Sequence, residues 1–501
     1  MKEADKAKIA SLDIKDTGTI LEIKKGIVKI SGLPSCINGQ LVELGSNLLG
    51  MIIGFDEDKV SAMVLGDETR LNIGEAVYAE PGILEVPVGN NFIGRTVDAL
   101  ARPTDGKGKI EESDLRPIFR DAPGVMDRTP ITEPMLTGIK TIDTVIPLGK
   151  GQRELIIGDR VTGKTTLALD AILNQRDKDV VCIFCWIGGS FSPYLKLIQN
   201  MHREGALEYS IIVSALASDS PAEQYIAPYT AATLGEHFMY QGRDVLLVFD
   251  NLTRHAWVYR QLSLLLERCP GREAYPGDIF YLHSQLIERA ARLNQDNGGG
   301  SMTFLPIVET QEGDVTGIIP SNLISMTDGQ IYLDTGLFRE GFKPAIDLGL
   351  SVSRIGSKVQ CEAIKEVSGR LKGEYARYKE LAGLTRIRTK LSPEVELKLK
   401  KGETLSALLM QDKASPLALE EIIITFYAFD KGIPEILEEQ KREKFMNEIY
   451  SYMTQEYPWL IKKLASLKVL TEEIKSGLDE AFQKFFAEGA QQSPTQSQKK
   501  Q

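Results

Sequence analysis

The sequence predicts a multidomain α/β protein, with a small N-terminal β-barrel or sandwich, a central α/β domain and a C-terminal helical domain. Three observations support this prediction. Residues 17–88 contain short β-like runs with a turn roughly every eight to twelve residues. Residues 110–360 alternate apolar strands with helices, and from about residue 365 apolar residues recur at helical spacing. With 501 residues, 43% of them hydrophobic, the chain can bury a core in each region.

The first region consists of β-like runs interrupted by glycine. TGTILEI, GIVKISGL, GQLVEL and LGMIIGF are examples of these runs. Because turns recur at this spacing, we assign residues 17–90 to a β-barrel, with a sandwich as the alternative. Residues 1–16 are mostly charged or small and lack the apolar core of a signal peptide, so we assign them to a short N-terminal extension.

The central region, residues 91–362, has the pattern of an α/β domain. TTLALDAILNQ and AEQYIAPYTAATLGEHFMYQ have the period of helices. Four apolar runs have the length of strands: RELIIGD at 153–159, DVVCIFCWIGG at 179–189, YSIIVSA at 209–215 and DVLLVFD at 244–250. Continuous apolar strands that alternate with helices predict a mainly parallel sheet that is buried on both faces.

The last region is predicted to be helical. SPEVELKLKKG, SPLALEEIIITFYAFDKG and PEILEEQKREKFMNEIYSYM combine helical spacing with a proline at the start or a glycine at the end. We assign residues 363–487 to a helical domain. Residues 488–501 are mostly polar and low in complexity, and we predict that they form a disordered tail.

The composition argues against several classes of protein. A net charge of −10 disfavours a dedicated nucleic-acid binder, which needs a basic surface. The five cysteines and four histidines are scattered, so we expect a reducing compartment, without a disulfide framework or a histidine metal site. No apolar run reaches the ~18 residues that a membrane span needs. We therefore expect a soluble chain.

The segment GDRVTGKT is a complete phosphate loop between a predicted strand and a predicted helix. Its glycines let backbone N–H groups surround phosphate oxygens, and the positive end of the following helix points at them. Lys164 is expected to reach the β- and γ-phosphates, and the Thr165 hydroxyl to bind Mg²⁺. A chance glycine-rich turn is the alternative, which the flanking strand and helix disfavour. The predicted nucleotide-binding residues here are Gly158, Asp159, Arg160, Val161, Thr162, Gly163, Lys164, Thr165 and Thr166.

A carboxylate at the end of a buried strand is the expected partner of such a loop. The run DVLLVFD ends in Asp250, which we assign to the Mg²⁺ shell, directly or through water. For this residue alone, the alternative is a structural aspartate that caps the next helix. Together, the loop and Asp250 predict binding of ATP or ADP with Mg²⁺.

Several long segments go beyond these generic features and are similar to one family. GQRELIIGDRVTGKT, YRQLSLLLERCPGREAYPGDIFYLHSQLIERAARL, ETQEGDVTGIIPSNLISMTDGQIYLDTGLF and PAIDLGLSVSRIGS closely resemble the alpha subunits of rotary F-type ATP synthases. The resemblance covers about residues 17–487 in the same order. It implies a β-barrel crown, a RecA-like P-loop nucleotide-binding domain and a C-terminal helical bundle.

The resemblance also implies a set of partners. Alpha chains of this family alternate with catalytic beta chains in a hetero-hexamer around a gamma-type shaft, and a peripheral stalk joins this head to a membrane sector that transports hydrogen or other ions. The head lies peripherally on the cytoplasmic side of an energy-transducing membrane. ATP is made or hydrolysed at sites formed mainly by beta, whereas the alpha sites bind nucleotide without turning it over.

One position indicates whether this site hydrolyses its nucleotide. Hydrolysis needs a carboxylate that orients or deprotonates the attacking water. In the beta chains of this family a glutamate lies just past the strand that follows the phosphate-loop helix, and Gly189 occupies that position here. The nearest downstream acid, Glu204, lies beyond a helix-like segment. We therefore predict that the site holds nucleotide without cleaving it.

Two further residues match the family at a subunit interface. Arg354 in SVSRIG matches the arginine that alpha chains extend into the neighbouring beta site, where it stabilises charge on the γ-phosphate. An isolated arginine would more simply form a surface ion pair, but the surrounding PAIDLGLSVSR favours the catalytic role. Ser325 in NLISMTDG matches another alpha residue near this interface. Residues 269–278 match the loops that line the shaft, with an ordinary rigid loop as the alternative.

Five positions around the predicted nucleotide depart from the family pattern. Gln411 matches a glutamine near the adenine, but the substitutions near it change the usual hydrogen-bonding groups. The departures are Val161, Gly189 and Lys413 in place of glutamine, Asn251 in place of aspartate and Lys343 in place of arginine. We expect weakened discrimination between ATP and GTP. Typical alpha chains also carry an N-terminal amphipathic helix that docks the peripheral stalk, whereas 16 mostly charged or small residues precede Thr17 here. We therefore expect the attachment to the stalk to be absent or different, and a specialised paralogue is the alternative to a typical subunit.

Two other functions are compatible with a phosphate loop. The first is a related head coupled to motility or secretion, which the sequence leaves open. The second is a hexameric nucleic-acid translocase, which would need a basic N-terminal barrel. Residues 41–90 are rich in acidic side chains, and their basic side chains are Lys59 and Arg70. This charge disfavours the translocase.

Overall fold

The computed structural model describes residues 16–45, 48–56, 58–111, 114–385 and 392–491. The predicted N-terminal extension lies outside the described residues except for Asp16, and so does the predicted tail beyond residue 491.

The N-terminal region is a closed barrel, which confirms the predicted barrel over the sandwich. Its strands are β1 (Thr17–Lys24), β2 (Ile27–Gly32), β3 (Gln40–Leu44), β4 (Leu48–Phe55), β5 (Val60–Leu65) and β6 (Ala76–Ile83). They are antiparallel in the order β1-β2-β5-β4-β3-β6, and β6 pairs with β1 to close the barrel. Ile20, Val28, Ile30 and Val42 fill the interior, because alternate side chains of a strand point inward.

The central region contains a largely parallel sheet in the order β17-β16-β10-β15-β13-β11-β12-β8, with β14 paired to β15 at one side. Its strands are β8 (Thr96–Val97), β10 (Leu155–Gly158), β11 (Val180–Gly189), β12 (Ser210–Leu216), β13 (Asp244–Asp250), β14 (Ala291–Arg292), β15 (Ser301–Glu309), β16 (Gly329–Leu333) and β17 (Val352–Ser353). Separately, β7 (Glu85–Val88) and β9 (Asp114–Pro117) form an antiparallel pair. The four predicted strands are all present.

Helices cover both faces of this sheet. They are α1 (Lys140–Val145), α2 (Lys164–Leu173), α3 (Phe191–Arg203), α4 (Pro221–Met239), α5 (Leu252–Leu265), α6 (Ile279–Ile287), α7 (Ile318–Met326), α8 (Thr335–Arg339) and α9 (Glu362–Ser368). Strand β11 shows why its sequence is continuously apolar. Phe184 and Trp186 pack into the core on one face, while Ile183, Cys185 and Ile187 pack into the core on the other.

The C-terminal region is a bundle of helices, as predicted. They are α10 (Leu371–Thr385), α11 (Pro393–Leu409), α12 (Leu419–Asp430), α13 (Ile433–Ile436), α14 (Glu439–Glu456), α15 (Pro458–Leu467) and α16 (Glu472–Gln491). Helix α12 is buried along most of its length and continues the core of the central sheet. Helix α16 runs to Gln491, so the part of the predicted disordered tail before residue 492 is helical. None of the helices in the described residues is long and apolar enough to cross a membrane.

Candidate nucleotide-binding site

A cavity of about 700 Å³ opens where several parallel strands end. Strands β11, β13 and β15 end at Gly189, Asp250 and Glu309, and the phosphate loop leaves β10 at Gly158. This edge of a parallel sheet is where ligands of such folds bind. The loop residues from Arg160 to Thr166 line the cavity.

The loop is shaped to surround an anion. Gly163 precedes α2 with a φ of +98°, a left-handed conformation that glycine adopts without a steric penalty. The Lys164 ammonium donates to the carbonyl of Gly158 at 2.9 Å and to that of Asp159. Burial lowers the pKa of Lys164, although nearby carboxylates oppose this shift. A buried cation at the start of a helix favours a phosphate ligand.

Thr165 and Asp250 meet at the end of the loop. The Thr165 hydroxyl donates to a carboxylate oxygen of Asp250 at 2.6 Å. Burial raises the pKa of Asp250, and the Thr165 hydrogen bond partly offsets this. A hydroxyl and a carboxylate are the protein ligands that Mg²⁺ takes beside phosphate oxygens and water. The described residues contain no cluster of three or more histidine, cysteine, aspartate or glutamate side chains that could hold a metal without the nucleotide.

Asp250 does not cap the next helix, which contradicts the alternative role considered for it. The side-chain oxygen of Asn251 accepts from the backbone N–H of Arg254 at 2.9 Å and caps α5. Asp250 is thereby left to face the phosphate loop.

Glu309 is one of the acids at the cavity that the sequence argument missed. Glu309 ends β15 and lines the cavity. One carboxylate oxygen accepts from Asn251 at 2.9 Å, and the other pairs with Arg160 at 3.0 Å. The rule that identified Asp250, a buried strand that ends in an acid, would also have identified Glu309 from SMTFLPIVE.

Two predicted loop residues are turned away from the cavity. Gly158 and Asp159 are absent from its lining. The carboxylate of Asp159 accepts from Thr310 at 2.7 Å, from Gly313 at 2.9 Å and from Thr335 at 2.9 Å. Burial acts to raise the pKa of Asp159, but these hydrogen bonds lower it overall. Asp159 therefore ties the loop to the segments after β15 and β16.

At the other end of the cavity, both the oxygen and the nitrogen of the Gln411 side-chain amide already make hydrogen bonds to the protein. Its side-chain oxygen accepts from Lys140 N–H at 2.9 Å, and its amide nitrogen donates to the carbonyls of Gly138 at 2.7 Å and Ser415 at 2.8 Å. Both amide hydrogens are thus used by the backbone. The predicted contact between Gln411 and adenine stays a prediction, and the observed contacts hold the cavity wall in place.

Two lysines that depart from the family pattern also lie at this end. Lys343 and Lys413 line the cavity, and the Lys343 ammonium lies 5.2 Å from the centre of the Phe338 ring. Lys413 is exposed and opposes the burial that raises the pKa of Asp170 to about 6. The backbone N–H of Gln411 donates to the carbonyl of Lys343 at 2.9 Å, so both lysines lie next to Gln411 in the structure or the sequence.

Gly189 has no room for a side chain. A Cβ atom added there would lie 2.4 Å from three indole atoms of Trp186, a residue that also lines the cavity. Glu204 follows helix α3 and is not part of the cavity lining. Within the described residues, the acids that line the cavity are Asp170, Asp250, Glu309 and Asp412.

Arg354 and Ser325 lie together, away from this cavity. A guanidinium nitrogen of Arg354 donates to the carbonyl of Ile324 at 3.3 Å, and the Ser325 hydroxyl donates to the carbonyl of Asn322 at 2.6 Å. Both side chains are exposed, and neither lines the cavity. Arg354 directly follows the edge strand β17.

The loop at residues 269–278 is ordered by short-range contacts. Gly271 N–H donates to the carbonyl of Tyr275 at 2.8 Å. The Arg260 guanidinium lies 4.7 Å from the centre of the Tyr275 ring and donates to the carbonyl of Glu273 at 3.2 Å. The predicted contact of this loop with a shaft stays a prediction.

Comparison with known families matches most of the chain in three segments. The nucleotide-binding domain of the ATP synthase alpha/beta family matches residues 138–353, its β-barrel domain matches residues 13–80, and the C-terminal domain of the ATP synthase alpha/beta chain matches residues 360–485.

Comparison with individual proteins points to one branch of that family. The chain is 46% identical over 478 residues to ATP synthase subunit alpha of Clostridium botulinum strain Alaska E43, which covers 95% of both proteins. It is also 46% identical over 476 residues to ATP synthase subunit alpha of Clostridium acetobutylicum, which covers 95% of this chain and 94% of that relative.

Proposed function

Since the chain belongs to the ATP synthase alpha/beta family and the two relatives compared above are alpha subunits, we propose that it is a nucleotide-binding subunit that does not hydrolyse its own nucleotide. In this role it holds ATP or ADP with Mg²⁺ and assists catalysis at a neighbouring beta-type site. The head it belongs to is proposed to couple ATP synthesis or hydrolysis to ion transport, as a peripheral assembly on the cytoplasmic side of a membrane.

One observation carries the proposal: the cavity brings Lys164, Thr165 and Asp250 together, and the carboxylates beside the phosphate loop, Asp250 and Glu309, are both engaged by protein groups. Lys164 and Thr165 would bind the phosphates and the cation, and Asp250 would complete the cation shell. Mg²⁺ bound there would neutralise phosphate charge.

The remaining acids of the cavity are poorly suited to act as a base. Glu309 has one oxygen engaged by Asn251 and the other by Arg160. Asp170 accepts from the backbone N–H of Ala414 at 2.9 Å, beside the exposed loop that carries Asp412. At the position of the family's catalytic glutamate, Gly189 offers no side chain.

The same proposal gives Arg354 a role in trans. Its guanidinium is exposed and lies outside this chain's own cavity, which suits a group that acts on a neighbouring site. Exposed Ser325 would lie at the same interface. The partners are then beta-type catalytic chains in an alternating ring, a gamma-type shaft against residues 269–278, a peripheral stalk and, indirectly, a membrane sector.

The test uses the purified full chain. Equilibrium titration should show binding of MgATP and MgADP that Lys164→Ala abolishes, while single-turnover assays show no hydrolysis of bound MgATP. Turnover that is lost with Lys164→Ala and with Glu309→Gln would overturn the proposal, because it would identify Glu309 as a working base. Co-purification of a beta-type chain and of membrane-rotor chains would test the assembly and its coupling to ions.

A further inference from the structure

Arg268 directly precedes the loop at residues 269–278, and it joins the two ends of that loop. Its guanidinium donates to the Tyr259 hydroxyl at 3.3 Å and lies 3.6 Å from the carboxylate of Asp278, the last loop residue. The Tyr259 hydroxyl donates to the same carboxylate at 2.6 Å. Burial and this hydrogen bond raise the pKa of Tyr259, so its hydroxyl stays protonated. The loop is therefore closed at its base by two side chains from outside it.

The same arginine fixes the loop to the N-terminal barrel. A second guanidinium nitrogen donates to the carbonyl of Ile53, on strand β4, at 2.8 Å. Glu267, the residue before Arg268, pairs with Lys29 of strand β2 at 3.2 Å. A small apolar cluster between β2 and α5 lies beside these polar contacts. Arg268 thus connects the barrel, helix α5 and both ends of the loop.

The tip of the loop is held in a conformation that its residue types do not favour. Glu273 and Ala274 have φ values of +55° and +60°, in the left-handed region that favours glycine. Such residues cost free energy, persist only where their surroundings fix them, and cluster at functional sites. Arg260 donates to the carbonyl of Glu273 at 3.2 Å, and residues 269–274 are exposed. The loop therefore presents a fixed, strained turn on the surface of this chain.

We propose that Arg268 is a positioning residue, which keeps the loop at residues 269–278 preordered and fixed to the barrel so that its partner meets a rigid surface. This inference rests on the proposed function where it names that partner, the gamma-type shaft. A preordered loop loses little conformational entropy on contact with the shaft, so the Arg268 contacts strengthen that interface. Because Arg268 also bonds to strand β4, a force on the loop is transmitted to the barrel as well as to α5.

The first test measures hydrogen exchange of the full chain. Arg268→Ala should speed exchange of the amides that are hydrogen-bonded within the loop by roughly fivefold or more, because the loop opens more often. These amides are Gly271, Ala274 and Tyr275. Tyr259→Phe, which removes only the hydroxyl, should act in the same direction. Arg272→Ala removes an exposed arginine of the loop itself and is the matched control, which should leave these amides unchanged. Exchange in helix α12 should be unaffected by all three variants, which separates a local role from a general loss of stability.

The second test adds the partner. In rings assembled with beta-type chains, Arg268→Ala should weaken binding of the gamma-type chain by roughly fivefold or more. Arg268→Lys should restore only part of it, since an ammonium lacks the planar fork that reaches several acceptors. Unchanged loop exchange in folded Arg268→Ala chains or, if they do not fold, in Tyr259→Phe chains would overturn the inference, and so would unchanged binding of the gamma-type chain. Failure of the unaltered chain to bind any gamma-type chain would instead overturn that part of the proposed function, and loop exchange would still decide whether Arg268 orders the loop.

Discussion

The Thr165 hydroxyl donates to the Asp250 carboxylate at 2.6 Å, which joins the phosphate loop to the end of the neighbouring strand β13. If these two groups hold Mg²⁺, then Thr165→Ala and Asp250→Asn should each weaken ATP binding in the presence of Mg²⁺ by roughly tenfold or more. The loss of affinity should be smaller when Mg²⁺ is removed. Thr165→Ser keeps the hydroxyl and is the matched control. The measurement is ATP titration with Mg²⁺ and with EDTA. Equal loss of affinity under both conditions would contradict a role in the Mg²⁺ shell.

The end of the cavity that contains Gln411 and Lys413 predicts that ATP and GTP bind with similar affinities. The Gln411 amide is saturated by backbone groups, and Lys413 stands where the family has a second glutamine. We expect MgATP and MgGTP to bind with affinities within about tenfold of each other, because each base-reading hydrogen bond contributes about 1 kcal/mol. Lys413→Gln should raise the preference for ATP by roughly fivefold. Competition titrations check this, and a strong adenine preference in the unaltered chain would contradict it.

Two buried histidines predict acid sensitivity of the central domain. His255 and His283 are fully buried, and their ring centres lie 6.1 Å apart. The His255 ring also packs against the rings of Tyr225 and Tyr229. Burial lowers the pKa of His255 to about 4 and that of His283 to about 3, from an ordinary 6.5.

The direction of this effect follows from linkage. Because the folded-state pKa values lie below the unfolded value, the stabilisation is complete above pH 6.5 and is lost as the pH falls toward 4. Over that range we expect wild type to lose roughly 2–3 kcal/mol more stability than His283→Asn. Urea unfolding at pH 7, 6, 5 and 4 measures the difference. The relevant quantity is the change in the free energy of unfolding with pH, since the substitution itself lowers the free energy of unfolding at pH 7. Parallel slopes would show that His283 is not buried in its neutral form.

A buried ion pair predicts a large stability effect far from the nucleotide. Arg289 is fully buried and donates to Glu236 at 2.7 Å, to Thr233 at 2.9 Å and to the carbonyl of Ile118 at 2.9 Å. Arg289→Ala would leave the buried Glu236 carboxylate largely uncompensated and should cost roughly 3–5 kcal/mol. Arg289→Met/Glu236→Leu should recover much of this loss, because it removes both charges. Denaturation followed by tryptophan emission of the central domain checks both variants.

Strand β11 shows how much of the fold local pattern could predict. DVVCIFCWIGG was predicted at 179–189 and is observed at Val180–Gly189, because a parallel strand buried on both faces must be apolar throughout. The closure of the barrel, by contrast, could not be predicted from local pattern. Turn spacing is the same for a barrel and a sandwich, and the pairing of β6 with β1 that distinguishes them is a long-range contact.

Part of the candidate site could likewise be predicted from the sequence, and part could not. The phosphate loop is contiguous in sequence, so its residues could be predicted from the motif. Trp186 reaches the cavity because β11 lies beside β13, and strand order cannot be deduced from one sequence. Local pattern also could not show that the carboxylate of Asp159 faces Thr310 and Thr335 and not the cavity.

The Arg354 side chain lies outside the lining of this chain's own cavity. It is exposed beyond the edge strand β17, and the hydrogen bond that its guanidinium makes within the described residues is a long one, 3.3 Å to the carbonyl of Ile324. Arg354→Ala should therefore leave folding and nucleotide binding of the isolated chain unchanged. In rings reconstituted with a wild-type beta-type chain, it should lower single-turnover hydrolysis by roughly 10³-fold or more, because positioned positive charge is a main catalytic factor in phosphoryl transfer.

Two further variants make this test specific. Arg354→Lys should rescue poorly, since a lysine ammonium cannot reproduce the planar, bidentate guanidinium. Arg203→Ala removes another exposed arginine, at the end of α3, where its ion pair in the described part of the chain is with the adjacent Glu204. This variant should leave the rate unchanged. Sedimentation must show that each variant assembles into rings, so that a lost rate is not a lost interface. A rate for Arg354→Ala within a few-fold of wild type in intact rings would remove this residue from the mechanism and limit the chain to binding nucleotide and spacing the catalytic subunits.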